Sequence, residues 1–286
     1  MKKALVTGAA GQLGRALVAS CPAGWQCRGL TRGELDLTDA GAIERLIAAE
    51  RPDLVINAAA YTAVDRAEAE PEIAMAINAR APGVFAEALR AFGGRLVQIS
   101  TDYVFDGRSS RPYFPGDPVS PLSVYGSTKA AGESAAGPEA IILRTSWVHA
   151  AGGQNFVTTM LRLMREREEL SVVCDQIGAP SWAPEIARTV WQLAVEGRPG
   201  TYHHRDVGQA SWHEFAQAIA EEALALGLIS RAPRIIPITS DQYPTAARRP
   251  GHSVLDDSET RTLLGDTTAH WRINLRRMLE EEAALR

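Results

Sequence analysis

The sequence is poor in features that mark several protein classes. Its 286 residues include only three cysteines, Cys21, Cys27 and Cys174. Their spacing fits neither disulfide pairing nor metal binding, which argues against a disulfide framework and favours a reducing compartment. No apolar run approaches the roughly 20 residues of a membrane span, and the apolar stretch before Thr7 is too brief for a signal peptide. We therefore expect a cytoplasmic protein.

The chain also has no excess of basic charge. The formal net charge is -4, and lysines and arginines are interleaved with acidic residues. Nucleic acid and membrane surfaces are therefore not expected partners, since both attract basic patches. A hydrophobic content of 45% is enough for a substantial core. These properties are typical of a globular protein that acts on small molecules.

The first half of the chain alternates short apolar segments with longer amphipathic ones. This alternation predicts an α/β fold with a doubly wound parallel sheet of the Rossmann type. The predicted strands are 3–7, 27–31, 53–57, 95–100 and 140–145, and the predicted helices are 12–20, 40–50, 71–92 and 124–136.

Beyond Trp147 the pattern loosens. Helical segments are separated by loops that carry Pro and Gly, which predicts a smaller, mostly helical C-terminal lobe and a cleft between the two parts. The helices predicted in this half are 156–168, 184–196, 211–226 and 271–285.

A glycine-rich turn follows the first predicted strand and precedes the first helix. Its three glycines, Gly8, Gly11 and Gly14, are spaced three apart. Glycine allows a tight turn and close backbone approach, while the free N–H groups at a helix N-terminus attract a pyrophosphate. An ordinary glycine-rich connection is the alternative, but the strand and helix around it favour a dinucleotide site. Gln12 and Leu13 complete this predicted site.

The end of the second predicted strand bears on which dinucleotide binds. An acidic residue there binds the ribose 2′-hydroxyl of NADH, whereas a basic one favours the 2′-phosphate of NADPH. The sequence at this point is Leu30-Thr31-Arg32, without a carboxylate. NADPH is therefore favoured, with some use of NADH left open, and a solvated Arg32 is the alternative. Asp36 and Leu37 are predicted beside the adenine.

Three residues suit acid/base chemistry. Tyr125 and Lys129 are four residues apart on a predicted helix and would face one cleft. A phenol with a pKa of about 10 is a poor acid near neutrality, and a nearby ammonium lowers that pKa. Thr101 follows the fourth strand, at the edge of the sheet where such folds bind ligands. Because Tyr and Lys at this spacing also occur by chance, the pair alone is weak evidence.

Together these motifs resemble a known family over nearly the whole chain. The glycine turn, the run Asn57-Ala58-Ala59-Ala60, Thr101 and the Tyr/Lys pair look like those of the extended short-chain dehydrogenase/reductases. Within that family, the runs 57–65, 100–105, 144–148 and 248–250 resemble the dTDP-4-dehydrorhamnose reductases. The resemblance implies an NADP-binding domain over 1–148, to which some later segments return, and a substrate-binding lobe mainly over 149–286.

The resemblance also implies a reaction and roles for its residues. The reaction is NADPH-dependent reduction of the C4 ketone of dTDP-4-dehydro-6-deoxy-L-mannose to dTDP-L-rhamnose, the last step of an activated-sugar pathway. Tyr125 would protonate the ketone oxygen, Lys129 would lower its pKa and hold the nicotinamide ribose, and Thr101 would be a second hydroxyl on that oxygen. Ala58, Ala59 and Ala60 would line the cofactor site.

Further residues are predicted to contact the substrate on motif resemblance alone. The alternative is a structural loop for Thr62, Val64 and Asp65, and core packing for Tyr103 and Trp147. The predicted substrate residues are Thr62, Val64, Asp65, Thr101, Asp102, Tyr103, Trp147, Asn155 and Arg249. Arg249 would pair with a diphosphate, and the adjacent Arg248 is interpreted as solvated.

Related activities are less compatible with the sequence. The similar 4,6-dehydratases follow the threonine with an Asp-Glu pair, whereas this chain has Asp102-Tyr103 and so lacks the glutamate that elimination needs. Similar epimerases bind NAD through an acid that Thr31-Arg32 does not provide. The open alternatives are a non-catalytic NADP-binding subunit resembling the β subunit of methionine adenosyltransferase, and a reductase of another nucleotide-linked keto sugar.

The sequence also departs from the pattern of some family members. Those members dimerise through magnesium held by glutamates, one of them just after the glycine turn, where this chain has Arg15-Ala16. We therefore predict no magnesium site and expect a monomer or weak homodimer. His203 and His204 lack metal-ligand partners at useful spacing and are predicted to be surface residues.

Overall fold

The first half of the chain forms parallel strands linked by helices. The computed structural model of the protein describes residues 1–265 and 268–285. In chain order this half contains β1 (Lys2–Thr7), α1 (Gln12–Ala19), β2 (Trp25–Leu30), α2 (Ala40–Glu50), β3 (Leu54–Asn57), α3 (Val64–Ala67), α4 (Pro71–Met75), α5 (Ala81–Arg90), β4 (Arg95–Thr101), α6 (Val124–Ala136) and β5 (Ile141–Thr145).

The second half combines helices with very short strands. The four helices predicted here lie within two residues of their predicted bounds. The helix over 258–264 and the strands were not predicted, and four of those strands have only two residues and so no readable periodicity. In chain order this half contains β6 (Val148–His149), α7 (Phe156–Glu166), β7 (Glu169–Val173), β8 (Ile177–Gly178), β9 (Ser181–Trp182), α8 (Ala183–Glu196), β10 (Gly200–His203), β11 (Ala210–Ser211), α9 (Trp212–Ala225), β12 (Arg234–Ile238), α10 (Ser258–Leu264) and α11 (Trp271–Ala284).

The central sheet is parallel throughout and has the order β2-β1-β3-β4-β5-β10. Its last strand, β10, comes from the second half and pairs with β5, with Gly200 opposite Ile141. The order reverses between β1 and β3, and a crevice opens at such a point beyond the carboxyl ends of the strands. The predicted doubly wound α/β fold is therefore confirmed.

The helix predicted over 71–92 is divided in the structure. Between α4 and α5 the segment Ala76–Arg80 forms a π-helical turn, and α5 then ends at Arg90. Pro82 explains the wide turn, since proline has no N–H and its ring would clash with the carbonyl four residues earlier. The helix α6 packs closely here: a Cβ on Gly132 would lie 1.9 Å from the Asn78 carbonyl oxygen.

Two hydrophobic clusters cover the sheet and a third fills the second half. One contains Leu17 and Val190, from α1 and α8, and another contains Ile43 and Phe85, from α2 and α5. The third is centred on the fully buried Phe215, packed among α7, α9 and α11. Within the described residues, no helix is long and apolar enough to cross a membrane.

The prediction that His203 and His204 are surface residues is wrong. Both are buried, with at most 2% of their surface exposed. The Nδ1 of His203 lies 3.1 Å from the carbonyl oxygen of Asp256, and burial lowers the pKa of His203 to about 3. The error arises because 200–203 was not recognised as the sixth strand of the sheet.

Candidate active site

The glycine turn between β1 and α1 has a backbone that larger residues would disrupt. Gly8 has a φ of +68°, and a Cβ on Gly14 would lie 2.1 Å from the Gly8 carbonyl oxygen. Gly11 is the N-cap of α1 and supplies no side-chain cap. The first N–H groups of a helix have no partner within it, so the turn leaves backbone donors for an anion.

A cleft of about 940 Å³ extends from this turn across the carboxyl ends of the strands. Most of the residues predicted from the sequence line it. They are Gly8, Gly11, Gln12, Leu13, Gly14, Arg32, Asp36, Leu37, Ala58, Ala59, Ala60, Thr62, Val64, Thr101, Asp102, Tyr103, Tyr125, Lys129 and Trp147.

We expected no carboxylate at the end of β2, but the structure places that of Glu34 there. Glu34 folds back on the strand end, where its Oε2 accepts hydrogen bonds from the N–H and hydroxyl of Thr31, both at 2.8 Å. Glu34 is thereby engaged locally, whereas Arg32 lines the cleft. Asp36 also lines it, and its Oδ1 accepts two bonds from Thr38 at 2.9 Å.

Tyr125 lies in the first turn of α6. Ser123 caps the N-terminus of this helix, since its side chain accepts a hydrogen bond from the N–H of Gly126. Burial raises the pKa of Tyr125 to about 12, although a hydrogen bond with Thr101 lowers it. The ring of Tyr103 packs edge-on against it, with 5.5 Å between ring centroids. Tyr125 is therefore a neutral phenol near pH 7, which is the form that can give a proton.

Lys129 lies one turn further along α6 and is 3% exposed. Its Nζ donates a 2.6 Å hydrogen bond to the carbonyl oxygen of Ile99 on β4. Burial lowers the pKa of Lys129 to about 8, and the charge of Glu133 raises it. The expected lowering of the tyrosine pKa is not found in the structure, because burial of the phenol raises its pKa and the nearby charge of Asp102 raises it further.

Glu133 belongs to a buried charged group beneath the lysine. Its carboxylate pairs with Arg144 of β5, at 2.7 Å between Oε2 and NH2, and accepts a short hydrogen bond from Ser100. The Arg144 guanidinium also lies 5.0 Å from the Phe105 ring centroid. A buried carboxylate needs such partners, so this pair fixes β4, β5 and α6 at their cleft ends.

Asp102 follows Thr101 at the end of β4 and is 2% exposed. Its Oδ1 accepts a 3.0 Å hydrogen bond from the Thr101 hydroxyl. Burial raises the pKa of Asp102 to about 6, against the lowering effect of a hydrogen bond from Ser253. Asp102 thereby orients Thr101 towards the phenol of Tyr125.

Three predicted substrate residues are outside the set that lines the cleft. Asp65 and Arg249 pair with each other, at 2.7 Å between Oδ2 and NH2, so the guanidinium predicted to bind a diphosphate is engaged by a carboxylate. Asn155 caps α7, and its Nδ2 donates a 2.7 Å hydrogen bond to Oε1 of Gln12 in the glycine turn. Asn155 thus joins the second half to the cofactor side of the cleft.

Sequence reasoning missed several residues that line the cleft. Among them are Arg66, Ser146, the loop residues 152–154 and Trp212. The position of Trp212 had a readable signal, since Ser211 and Glu214 form a capping box at the start of α9. No signal in the sequence placed that helix start at the cleft, because the contact depends on tertiary packing.

Within residues 1–265 and 268–285, no group of His, Cys, Asp or Glu side chains is arranged to hold a metal ion. Arg15 donates a 3.2 Å hydrogen bond to the carbonyl oxygen of Ala151. The arginine therefore links the glycine-turn helix to the loop before α7.

The chain is similar to known proteins over almost its full length. Residues 1–284 match the family model described as the RmlD substrate binding domain. A dTDP-4-dehydrorhamnose reductase of Burkholderia thailandensis is 44% identical over 286 residues, which covers 94% of this chain and 95% of that protein.

Solved structures agree with this similarity. A dTDP-4-dehydrorhamnose reductase of Clostridium acetobutylicum superposes with a TM-score of 0.91 at 36% identity, covering 98% of this chain and 99% of that one. The Bacillus anthracis reductase, solved in complex with NADP, gives 0.92 at 34% identity, covering 98% and 100%. The resemblance predicted from the motifs is confirmed. The chain belongs to the RmlD substrate binding domain family, the family of the dTDP-4-dehydrorhamnose reductases.

Proposed function

We propose that this protein reduces the C4 ketone of dTDP-4-dehydrorhamnose to give dTDP-L-rhamnose, with NADPH as the reductant. The observation that carries the proposal is a neutral, buried Tyr125, hydrogen-bonded to Thr101 in a cleft that begins at a glycine turn. The names of the relatives support the substrate, and the NADP complex of a relative supports the cofactor.

The residues of the glycine turn fit a dinucleotide. A Cβ on Gly8 would lie 2.8 Å from the backbone nitrogen of Ala59, and one on Gly14 would overlap the Gly8 carbonyl. The turn is therefore compact enough for a pyrophosphate to approach the backbone. Arg32 would hold the 2′-phosphate through paired hydrogen bonds, and Lys129 would hold the nicotinamide ribose. When bound, NADPH supplies the hydride.

The chain's own residues supply the proton and the electrostatic support. Negative charge develops on O4 as the ketone carbon is reduced, and Tyr125 gives its proton to that oxygen. The Thr101 hydroxyl, which donates to Asp102 in the structure, turns to donate to the same oxygen once the ketone is bound. The buried ammonium of Lys129 stabilises the phenolate that remains. Tyr103 stands where the similar 4,6-dehydratases carry the glutamate of their Asp-Glu pair, which supports reduction over elimination.

Loss of the proton donor tests the proposal directly. Tyr125→Phe keeps the ring and removes the hydroxyl, so we expect kcat/KM for the dTDP-keto sugar to fall by about 10²- to 10⁴-fold. The assay follows NADPH absorbance, and Tyr243→Phe, at a tyrosine that is 60% exposed, is the matched control. Undiminished turnover in Tyr125→Phe, or none in the wild type, would contradict the proposal.

The same assay separates the alternatives. A non-catalytic NADP-binding subunit would bind NADPH but consume none with any keto sugar. A reductase of another nucleotide sugar would prefer a UDP- or GDP-linked ketone to the dTDP-linked one. We expect the highest kcat/KM with the dTDP sugar.

A further inference from the structure

Trp147 has a backbone conformation that is rare for a large aromatic residue. Its φ is +45°, and within the described residues only Arg51 shares a positive φ among residues other than glycine. Such a conformation carries strain and persists where the surroundings determine it strongly. Trp147 also lines the cleft, directly after the strand β5 that carries Arg144 and Thr145. The residues that hold Trp147 therefore determine part of the wall of the cleft.

The backbone of Trp147 is fixed from the second half of the chain. Its carbonyl oxygen accepts a 3.2 Å hydrogen bond from the N–H of Ser181. The preceding Ser146 hydroxyl donates at 2.8 Å to the carbonyl oxygen of Ala179. These contacts place the residue, but they leave the orientation of its ring to side-chain packing.

The ring is held by Trp212 and Gly178. The indoles of Trp147 and Trp212 are stacked, with 3.5 Å between centroids and an interplanar angle of 7°. A Cβ on Gly178 would lie 2.5 Å from the Trp147 ring, so that position tolerates no larger residue without movement of the ring. The two contacts leave the Trp147 ring little freedom to rotate.

Both contacts are positioned by one small ladder. The strands β8 and β11 are antiparallel, with Gly178 opposite Ala210 and Ile177 opposite Ser211. Ser211 is also the N-cap of α9, and Trp212 is the first residue of that helix. The ring of Trp212 packs further on Phe156, at 4.6 Å between centroids. The paired strands and the helix cap, both in the second half of the chain, therefore fix the position of the Trp147 ring.

We infer that Trp212 is a positioning residue for the substrate, which holds the Trp147 ring at the sugar-nucleotide side of the cleft through the stacked pair. The inference rests on the proposed function and adds to it a residue that determines substrate affinity. Because Tyr125 contacts Thr101 and Tyr103, and Lys129 contacts Ile99, we expect the loss of the stacked pair to act on substrate binding and to spare the chemical step. It also spares cofactor binding at the glycine turn.

Steady-state kinetics of Trp212→Leu test the inference. We expect KM for the dTDP-keto sugar to rise about tenfold, as the loss of an aromatic pair allows, with kcat changed less than about threefold and NADPH affinity unchanged. Trp212→Phe keeps a flat ring and should restore KM to within about threefold of the wild type. Trp25→Leu is the matched control, since it breaks the Trp25–Trp191 pair elsewhere in the molecule.

A second variant covers the case in which Trp212→Leu does not fold. Gly178→Ala leaves Trp212 intact but forces the Trp147 ring to move, and we expect the same rise in KM. A KM in both variants equal to that of the Trp25→Leu control overturns the inference alone. A general loss of kcat and NADPH affinity in them also overturns it, since that result reports a structural role. A wild type without turnover overturns the proposed function and, with it, this inference.

Discussion

One side of the cleft is formed mainly by backbone groups and the other mainly by side chains. On the glycine-turn side, backbone groups at the ends of β1 and β3 line the cleft, and each of these strands is buried along four residues. On the Trp147 side, the cleft is lined by two stacked side chains, Trp147 and Trp212, which two short paired strands hold in position. A backbone surface accepts few residue types, whereas a side-chain surface can be assembled in many ways. The comparison predicts where substitutions are tolerated.

A methyl group on the glycine-turn side should have the largest effect. Gly14→Ala puts a Cβ 2.1 Å from the Gly8 carbonyl oxygen, so the turn must open. We expect the Kd for NADPH to rise on the order of a hundredfold, measured by titration of NADPH fluorescence. Gly116→Ala, where a Cβ meets nothing within 4 Å, is the control. Equal affinities in the two variants would show that the turn is not a rigid backbone surface.

The phosphate contact on the same side depends on a side chain, so we expect a smaller and more selective effect. Arg32→Glu should weaken NADPH about tenfold or more and NADH much less, since only NADPH carries the 2′-phosphate. Binding of both cofactors by fluorescence measures this. Arg45→Glu, at an exposed arginine on α2, is the control, and equal losses for the two cofactors would rule out the contact.

The pH dependence of kcat/KM tests the role of Lys129. Since the pKa of Lys129 is about 8, kcat/KM should fall as pH rises through about 8 and the ammonium loses its proton. Glu133 raises that pKa, so Glu133→Gln should move the descending limb about one unit lower. The measurement is kcat/KM against pH with stability checked in parallel. An unmoved limb would mean that another group controls it.

The smallest effect is expected for a buried carboxylate of the second half. Burial raises the pKa of Asp206 to about 7, so its charged form is disfavoured in the fold. Its contribution to stability is full below the ordinary Asp pKa of about 4 and is lost as pH rises through about 7. Asp206→Asn should remove this dependence and raise Tm at pH 8 by a few degrees.

Thermal unfolding between pH 4 and pH 8 measures the effect of this substitution. The matched control is Asp241→Asn, at an exposed aspartate, which should leave the slope unchanged. An Asp206→Asn variant with the slope of the wild type would show that the buried carboxylate is not responsible.

The same division explains what could be predicted from the sequence. The sequence predicted that the glycine turn, Arg32, Thr101, Tyr125 and Lys129 share one cleft, and they line it because each follows a strand or lies in the first turns of a helix after one. Their roles stay predictions. The bounds of the elements in the first half were correct within about two residues, apart from the π-helical turn.

Other features depended on contacts that no local pattern records. Trp212 and Trp147 are 65 positions apart and meet through a two-residue ladder. Arg249 pairs with Asp65 across 184 positions, and His203 is buried because its strand joins the sheet beside β5. Chain separations of this size leave no periodicity to read.

The sequence alone therefore determined the fold class and the places of the glycine turn, Thr101, Tyr125 and Lys129 at the carboxyl ends of the strands, because glycine geometry and strand-end position are local constraints. Only the tertiary structure decided which side chains form the opposite side of the cleft, and which direction the pKa of Tyr125 takes. Both follow from burial and packing between distant segments, and desolvation of the phenol is the largest effect on the pKa of Tyr125.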